Sequence, residues 1–479
     1  MEHITMASRE EGEPLSPTAK LFHEPSLNCY VITTMGCKTS FNPQVIREGL
    51  SQTLLKHPRF TSIPAKKGRK TRWIPTTVNL DNHIIIPEID YNIEHPNRFV
   101  EDYISNFIKT PLDPSKPLWE LHLLNIKTSD AAAVGVFRIH HSIGDCISLI
   151  SLLLAATRKA SDPNMLSTQK KNTLHQRSSP FWRWLVAIWK HLVLIWHTMV
   201  GLVMLVLTFL FIKDTQSSLK GAPGVEFNNK RFVYRTISMD DIKLVKNETN
   251  ATINDVLLGV TQAAFTRYLN REYGVDENNN GVKQRSSVLK KINLRASVIV
   301  NLRSIGGIQD LANMMAKKSK VKWGNCIGFV ILPLSIGFHD DPLEYVHQAK
   351  TKMDRKKHSL EAIFTYAFGK LSLNLLGVKV AAAITRRVLF NTTLAFSNVP
   401  GPMKEISFYG HPVEYIAPSA YGHPHALTMH FLSYAEKMTI SLSVDPLVIP
   451  DPYLLCDDLE QSLKVMCDVV KRKHTVNVV

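Results

Sequence analysis

The residues best suited to chemistry form one short string, His140-His141-Ser142-Ile143-Gly144-Asp145-Cys146. It lies where an apolar extended run, AAVGVFRIHH, gives way to an apolar helical run, CISLISLLLAA. That junction predicts a strand end, where α/β proteins commonly place ligand sites. Adjacent side chains on a strand point to opposite faces, so His140 and His141 cannot readily share a metal ion. One imidazole instead faces a cleft while its neighbour packs inside, and a neutral imidazole with an ordinary pKa of about 6.5 suits proton transfer at cellular pH. Two packed or merely exposed histidines are the plainer alternative. Asp145 fits two roles, orienting a histidine or capping the helix that begins at Cys146, and the structural role is favoured. Cys146 invites a thiolate mechanism at a helix N-terminus, but Asp145 beside it opposes ionisation, so a cysteine nucleophile is the weaker reading.

Other constellations are less specific. His423, His425 and His430 resemble a metal set only loosely, because Pro424 interrupts them and no carboxylate is paired with them. Gly410-His411-Pro412 reads as turn chemistry. There is no G-x-G-x-x-G, Walker loop or zinc spacing, and the basic runs lack the aromatic interleaving of single-strand nucleic-acid binders.

These residues need a scaffold, and the 479-residue chain supplies enough sequence for two lobes. Hydrophobic residues at 44% and charged ones at 20% exclude wholesale disorder and a polytopic membrane protein. The surplus of 57 Lys and Arg over 41 Asp and Glu, +16, favours anionic partners. Six scattered cysteines without a C-x-x-C fit reduced thiols in a cytosol-facing protein. The acid-containing first residues predict no cleavable secretory signal, so the sequons at Asn247, Asn250 and Asn391 are expected to be inert. Extended and helical patterns alternate through residues 1 to 160 and again from about 231, which predicts an α/β fold.

Between them lies FWRWLVAIWKHLVLIWHTMVGLVMLVLTFLFIKD, in which residues 191 to 212 contain no Asp, Glu, Lys or Arg. About 20 such residues suffice to span a bilayer core. Four of the seven tryptophans, Trp182, Trp184, Trp189 and Trp196, crowd its N-terminal side beside Arg183 and Lys190, as an interfacial anchor would. A buried core helix is the alternative. The basic runs KKSKVK and KMDRKKH read as solvated faces.

With these motifs in hand, the chain resembles the plant-type wax ester synthase/diacylglycerol O-acyltransferases, within the chloramphenicol acetyltransferase-like superfamily. The resemblance runs through EPLSP (13–17), HPRF (57–60), PLWELHLLN (117–125), HHSIGDC, TINDVLLG (252–259), VNLR (300–303), WGNCIGFVILPL (323–334) and SNVPGP (397–402). It implies a two-lobed fold with a channel between the lobes, acyl-CoA and an acceptor alcohol approaching the histidine from opposite ends. It implies that His141 is the general base, that His140 flanks it, and that Asp145 holds the loop by pairing with an arginine. Asn254 and Asp255 match an Asn-Asp motif near the active site, with Asn254 a candidate oxyanion donor or helix cap. Pro117, Leu118 and Trp119 match a Pro-Leu-Trp motif read as packing. Cys146 replaces the motif's usual Gly, a departure that bears on the turn and on activity.

The expected organisation is an N-terminal lobe at 1–180, a hydrophobic membrane-associated segment at 181–212, a crossover linker at 213–230 and a C-terminal lobe at 231–479. A complete span would part the two lobes across the bilayer, so the segment is expected to lie in one leaflet with both lobes cytosolic. The expected activity joins acyl-CoA to a long-chain fatty alcohol or diacylglycerol at a membrane surface, with no cofactor, metal or nucleic acid. The endoplasmic reticulum is the expected location, the plasma membrane the alternative. A superfamily acyltransferase with another acceptor, or a catalytically weakened lipid- or acyl-CoA-binding protein, are the rival functions.

Overall fold

The computed structural model describes residues 12–68, 70–90, 93–157, 180–273, 289, 291–303 and 323–476. Residues 158–179, residues 274–288 and the KKSKVK run lie outside them.

Two six-stranded sheets carry the molecule. The first orders β12 (Ser407–Phe408), β13 (His411–Tyr421), β2 (Tyr30–Cys37), β7 (Ala133–His140), β6 (Trp119–Leu124) and β5 (Ile84–Ile85). The second orders β10 (Ile327–Leu334), β9 (Leu294–Asn301), β11 (Leu394–Pro400), β14 (Leu427–Tyr434), β15 (Lys437–Val444) and β8 (Arg231–Ser238). A small sheet of β1 (Glu13–Pro14), β4 (Lys70–Pro75) and β3 (Ser62–Lys67) flanks the first. The central strand β7 is buried along almost its whole length, which explains why its sequence is a continuous apolar run rather than an alternating one. The first sheet packs with α1 (Pro17–Leu21), α2 (Pro43–Gln52), α3 (Pro96–Phe107) and α4 (Cys146–Thr157). The second is covered by α6 (Met239–Glu248), α7 (Ile253–Tyr273), α8 (Glu344–Lys357) and α10 (Pro452–Val476). Two further helices, α5 (Pro180–Leu210) and α9 (Glu361–Phe390), lie against one another on the second lobe.

The sheets do not follow the expected division at residue 231. Strands β12 and β13, from the C-terminal half, belong to the first sheet, where β13 pairs antiparallel with β2 from Tyr421 opposite Tyr30 to Val413 opposite Cys37. Without them β2 would present a row of unpaired backbone groups. A two-residue turn, Tyr409 (φ 47°) and Gly410 (φ 88°), joins β12 to β13, the positive φ pair that a tight hairpin demands. The chain then returns to the second sheet through Gly422, where φ is 90° and a Cβ would lie 2.2 Å from the Asn28 carbonyl oxygen. Residues 423 to 426 therefore run between the lobes. Hydrophobic alternation marks strands but cannot say which sheet each joins.

The sequence reading found one long apolar segment, and the described residues contain two long apolar helices. Helix α9 escaped because Lys370, Lys379, Arg386 and Arg387 break its apolar run. It is also bent. Gly377 has φ 81° and ψ 170°, outside the helical region. The Leu360 amide donates to Thr198 Oγ1 (3.0 Å), and Asn391 Nδ2 donates to the Thr208 carbonyl (2.7 Å). Those two partners sit on α5 about 15 Å apart, whereas a straight helix between them would measure roughly 45 Å. The element is thus an elbow of two arms, Glu361–Leu376 and 378–390, both ends resting on α5.

The end of α5 is held by a buried clasp. Arg295 Nε donates to Asp214 Oδ1 (2.5 Å), and its other nitrogens donate to Thr208 Oγ1 (2.5 Å), the Ile212 carbonyl (3.1 Å) and the Asn391 carbonyl (2.8 Å). Asp214 Oδ2 accepts from the Arg295 amide (2.7 Å) and from Thr393 Oγ1 (2.6 Å). Removing one partner strands a buried charge, so Asp214→Ala is expected to cost about 3 to 5 kcal/mol, read as a fall in the denaturant midpoint.

Candidate active site

The His140–Cys146 loop leaves β7 and enters α4, and it is fixed from both lobes. Asp145, 2% exposed, accepts from the Ser148 amide through Oδ1 (3.0 Å), which caps α4. Its Oδ2 accepts from Arg303 Nη1 (2.8 Å) and the Cys326 amide (3.0 Å), both from the second lobe. Trp323 Nε1 donates to the Ile143 carbonyl (2.9 Å), and Ser148 Oγ donates to the Gly324 carbonyl (3.0 Å). Asp145 therefore caps the helix and pairs with an arginine at once. Sequence reading quoted Arg303 within VNLR without identifying it as that partner.

The two histidines differ sharply. Both ring nitrogens of His140 are engaged, Nδ1 with Ser142 Oγ (2.6 Å) and Nε2 with Asn28 Oδ1 (2.9 Å), while its ring stacks on His23. It is a packed residue. His141 lines a chamber of about 90 Å³ between the lobes. Its Nδ1 lies 3.0 Å from Asn325 Oδ1, and Asn325 Nδ2 donates 2.8 Å to the His141 carbonyl. Because the amide nitrogen is committed to that carbonyl, the amide oxygen can only accept, so Nδ1 carries the proton and Nε2 the lone pair. Phe22 stacks on the same ring at 4.3 Å. Burial holds the His141 pKa below its ordinary value, partly opposed by Asp145 and Asn325, so the ring is neutral near pH 7. Nothing in the isolated sequence singled out Asn325. Its signal was its place in WGNCIGFVILPL.

Asp255 is fully buried at the start of α7, where Oδ2 accepts from the Thr252 amide (2.8 Å) and hydroxyl (2.7 Å), while its own amide donates to Thr252 Oγ1 (3.4 Å). That is a reciprocal helix cap rather than a group facing the chamber. Asn254 Oδ1 accepts from Asn398 Nδ2 (2.5 Å), and it is Asn398 that lines the chamber. His423 and His430 also line it. Burial pushes their pKa values down to about 3 and about 4, and each Nδ1 is buried without a partner among the described residues. His425 instead bonds Thr392 Oγ1 (2.9 Å). No group of three His, Cys, Asp or Glu among the described residues converges as metal ligands.

Burial, followed by Asp145, pushes the Cys146 thiol up to about 12, far from a thiolate. The backbone there has no positive φ that would require Gly. Its side chain instead borders two spaces. Val31, Cys146 and Val399 line both the His141 chamber and an apolar cavity of about 60 Å³ walled by Leu149, Leu153 and Phe408. On the other side, Phe22, Ile299, Ile327 and His423 line both the chamber and a third cavity of about 130 Å³. The His141 chamber thus shares walls with two neighbouring cavities.

Comparison with known proteins bears on this geometry. The sequence pattern of the wax ester synthase/diacylglycerol acyltransferase catalytic domain matches residues 43–257, and that of the WS/DGAT C-terminal domain matches 323–467. Wax ester synthase/diacylglycerol acyltransferase 11 of Arabidopsis thaliana is 50% identical over 464 residues, covering 95% of each chain. Wax ester synthase/diacylglycerol acyltransferase 4 of the same plant is 47% identical over 489 residues, covering 99% of this chain and 93% of its own. Among solved structures, the wax ester synthase/diacylglycerol acyltransferase from Marinobacter aquaeolei VT8 aligns with TM-score 0.60 at 18% identity, covering 96% of this chain and 100% of its own. The starter condensation domain of rhizomide synthetase RzmA, as a variant in complex with C8-CoA, aligns at 0.56 and 11% identity over 98% of this chain and 96% of its own. Both confirm the two-lobed fold.

The tautomer derived above is directly measurable. Nitrogen NMR of histidine-labelled protein is expected to show His141 neutral at pH 6.5 with its proton on Nδ1. Asn325→Asp places a carboxylate beside that proton and favours the imidazolium, so its titration moves to higher pH. Asn325→Leu releases the tautomer.

Proposed function

Because the chain belongs to the wax ester synthase/diacylglycerol acyltransferase family and is an O-acyltransferase, we propose that it transfers a fatty acyl group from acyl-CoA to a long-chain alcohol or diacylglycerol, with His141 as general base. The observation that carries this reading is the pairing of His141 Nδ1 with Asn325 Oδ1, from which the Nδ1–H tautomer follows, leaving Nε2 as an acceptor in a chamber flanked by two further cavities. Nε2 takes the hydroxyl proton as the alcohol oxygen attacks the thioester carbonyl, and returns it to the departing CoA sulfur. No covalent enzyme intermediate and no cofactor enters this sequence, acyl-CoA being a co-substrate. Charge on the carbonyl oxygen is met by polar groups around the chamber, Asn398 steadied by Asn254 and the neutral His423 and His430. Asp145, Arg303 and His140 position the loop.

The apolar cavity beyond Cys146 has the character to receive an alkyl chain, with CoA remaining outside. We further propose that the protein works at the cytosolic face of a membrane, that of the endoplasmic reticulum, with Pro180–Leu210 lying in one leaflet rather than crossing it. Bonds to Thr198 and Thr208, midway and near its C-terminal end, tie this helix to the second lobe, while Trp184, Trp189 and Trp196 are more than 60% exposed. The catalytic loop precedes the helix and Arg303, Asn325 and Asn398 follow it, so both its ends belong on one side. The +16 surplus suits an anionic cytosolic leaflet.

Labelled palmitoyl-CoA incubated with vesicle-borne hexadecanol or diacylglycerol is expected to yield labelled ester or triacylglycerol. His141→Ala should lower that yield by about 10² to 10⁴-fold with folding preserved; turnover within twofold of the wild type would refute the general-base assignment. Cys146→Leu narrows the neck, so kcat/KM for palmitoyl-CoA should fall about tenfold relative to octanoyl-CoA. A tag at residue 250 should be cleavable by external protease in sealed microsomes; protection there would place it in the lumen and end the monotopic reading.

A further inference from the structure

The cavity of about 130 Å³ that adjoins the His141 chamber is bounded by both arms of the α9 elbow, by Thr365, Tyr366, Gly369 and Lys370 from the first arm and by Thr385 and Leu389 from the second. Helix α1 and the turn at Pro25–Leu27 wedge between the arms, Leu21 and Leu27 packing on Leu373, Ala381 and Ala382. The inner ends of the arms are anchored. The Phe329 amide donates to Thr365 Oγ1 (3.1 Å), and a Cβ on Gly328 would strike the Ala362 carbonyl oxygen at 2.0 Å, so the first arm lies directly on β10. Arg386 pairs with buried Glu226 (2.5 Å) to hold the second.

The outer surface of the elbow is bare and apolar. Phe368, Leu371, Leu375 and Leu376 are 49%, 54%, 72% and 55% exposed, the last two flanking the bend at Gly377. The adjoining face of α5 is bare in the same way, with Ile195, Met199, Val203 and Val206 each at least half exposed. Exposed Lys370 and Lys379 on the elbow and Lys190 on α5 fringe these surfaces with positive charge. The longer arm measures about 24 Å, short of the roughly 30 Å hydrocarbon core. The broken helix at Gly377 leaves backbone groups without helical partners, which are tolerable at the headgroup level but not at the bilayer centre. Length, break and charge together select one occupant, the outer part of a single anionic phospholipid leaflet.

We infer that the elbow inserts its bend, Leu375-Leu376, into the leaflet that holds α5, and that the cavity between its arms is the passage by which a lipid alcohol leaves that leaflet and reaches His141. This rests on the reading of His141 as the base that acts on such an alcohol. The surfaces flanking the passage's lining, at Phe368 and Leu371, are themselves lipid-facing, so the alkyl chain moves from bilayer to protein without crossing water. At the inner end, Phe22 and His423 meet it, and both also line the chamber. Gly369 lines the passage and has no atom within 4 Å of an added Cβ, so a side chain can be introduced there without a clash.

Three readouts test this on the full chain. Leu375→Glu/Leu376→Glu should weaken co-sedimentation with phosphatidylcholine vesicles containing phosphatidylserine by about tenfold. The same variant should lose hexadecanol transfer from vesicles equally, yet keep transfer within about twofold when hexadecanol is offered in detergent micelles. Gly369→Trp should leave vesicle binding intact and lower hexadecanol transfer at least about tenfold in both formats, by filling the passage. A photoreactive long-chain alcohol in the vesicles should label the peptide 361–390 in wild type and His141→Ala alike, and this labelling does not depend on turnover. Unchanged vesicle binding of the Leu375/Leu376 variant, its equal loss of activity in micelles, or labelling absent from 361–390 would each overturn the passage. Loss of transfer by wild type alone would instead strike the acyltransfer reading.

Discussion

One buried carboxylate holds the two lobes in register. Asp145 caps α4 of its own lobe and accepts from Arg303 and the Cys326 amide of the other. A charge removed from water this completely is sustained only while every partner is present. Its position next to the strand end means that the same bonds fix where His141 points, since Asn325 stands one residue before Cys326 on the same segment. Fold stability and the tautomer of the imidazole are therefore coupled through four consecutive residues, with Trp323, Asn325 and Cys326 bonding the loop and Gly324 bonding Ser148 in the first turn of α4. A weakened lipid-binding protein would not need such a clasp to leave one imidazole nitrogen unpaired in a hollow.

The second constraint is topological. Both halves of the chain build the chamber, and β12–β13 return to the first sheet between the fourth and fifth strands of the second. Such a molecule cannot be threaded across a bilayer between its halves. On the membrane reading proposed above, its apolar helices meet lipid from one side, and two features agree with that. Helix α5 is bonded to the second lobe rather than departing from it, and α9 doubles back at Gly377 instead of continuing. On that reading, the cost of a backbone break in lipid and the shortness of the arms limit the proposed insertion to the region where wet groups remain available.

A polar chamber around His141 adjoins an apolar cavity beyond Cys146. Cys146 borders both the His141 chamber and the apolar cavity beside it, and its thiol, pushed up to about 12 by burial and Asp145, is far from a thiolate. His423 and His430 arrive because the chain crosses between the sheets at Gly422, and their burial keeps them uncharged beside His141. A positive charge on either would oppose protonation of His141, whereas neutral rings do not.

The sequence by itself determined the α/β alternation, the charge balance, the apolar segment before 212 and the HHSIGDC string at a strand end, because each is a local pattern written in neighbouring residues. It also carried enough ordered motifs to imply the family. Partnership across hundreds of positions was decided only by the tertiary structure: Arg303 for Asp145, Asn325 for His141, Asn398 for Asn254, and β13 for β2. Asp255 looked like part of a site and proved a helix cap, since an Asp three residues after a Thr satisfies the backbone as readily as it could a substrate. The elbow at 361–390 was illegible for a related reason. Its lysines and arginines interrupt the hydropathy along the chain, and only folding back on α5 gathers its leucines and phenylalanines onto one surface.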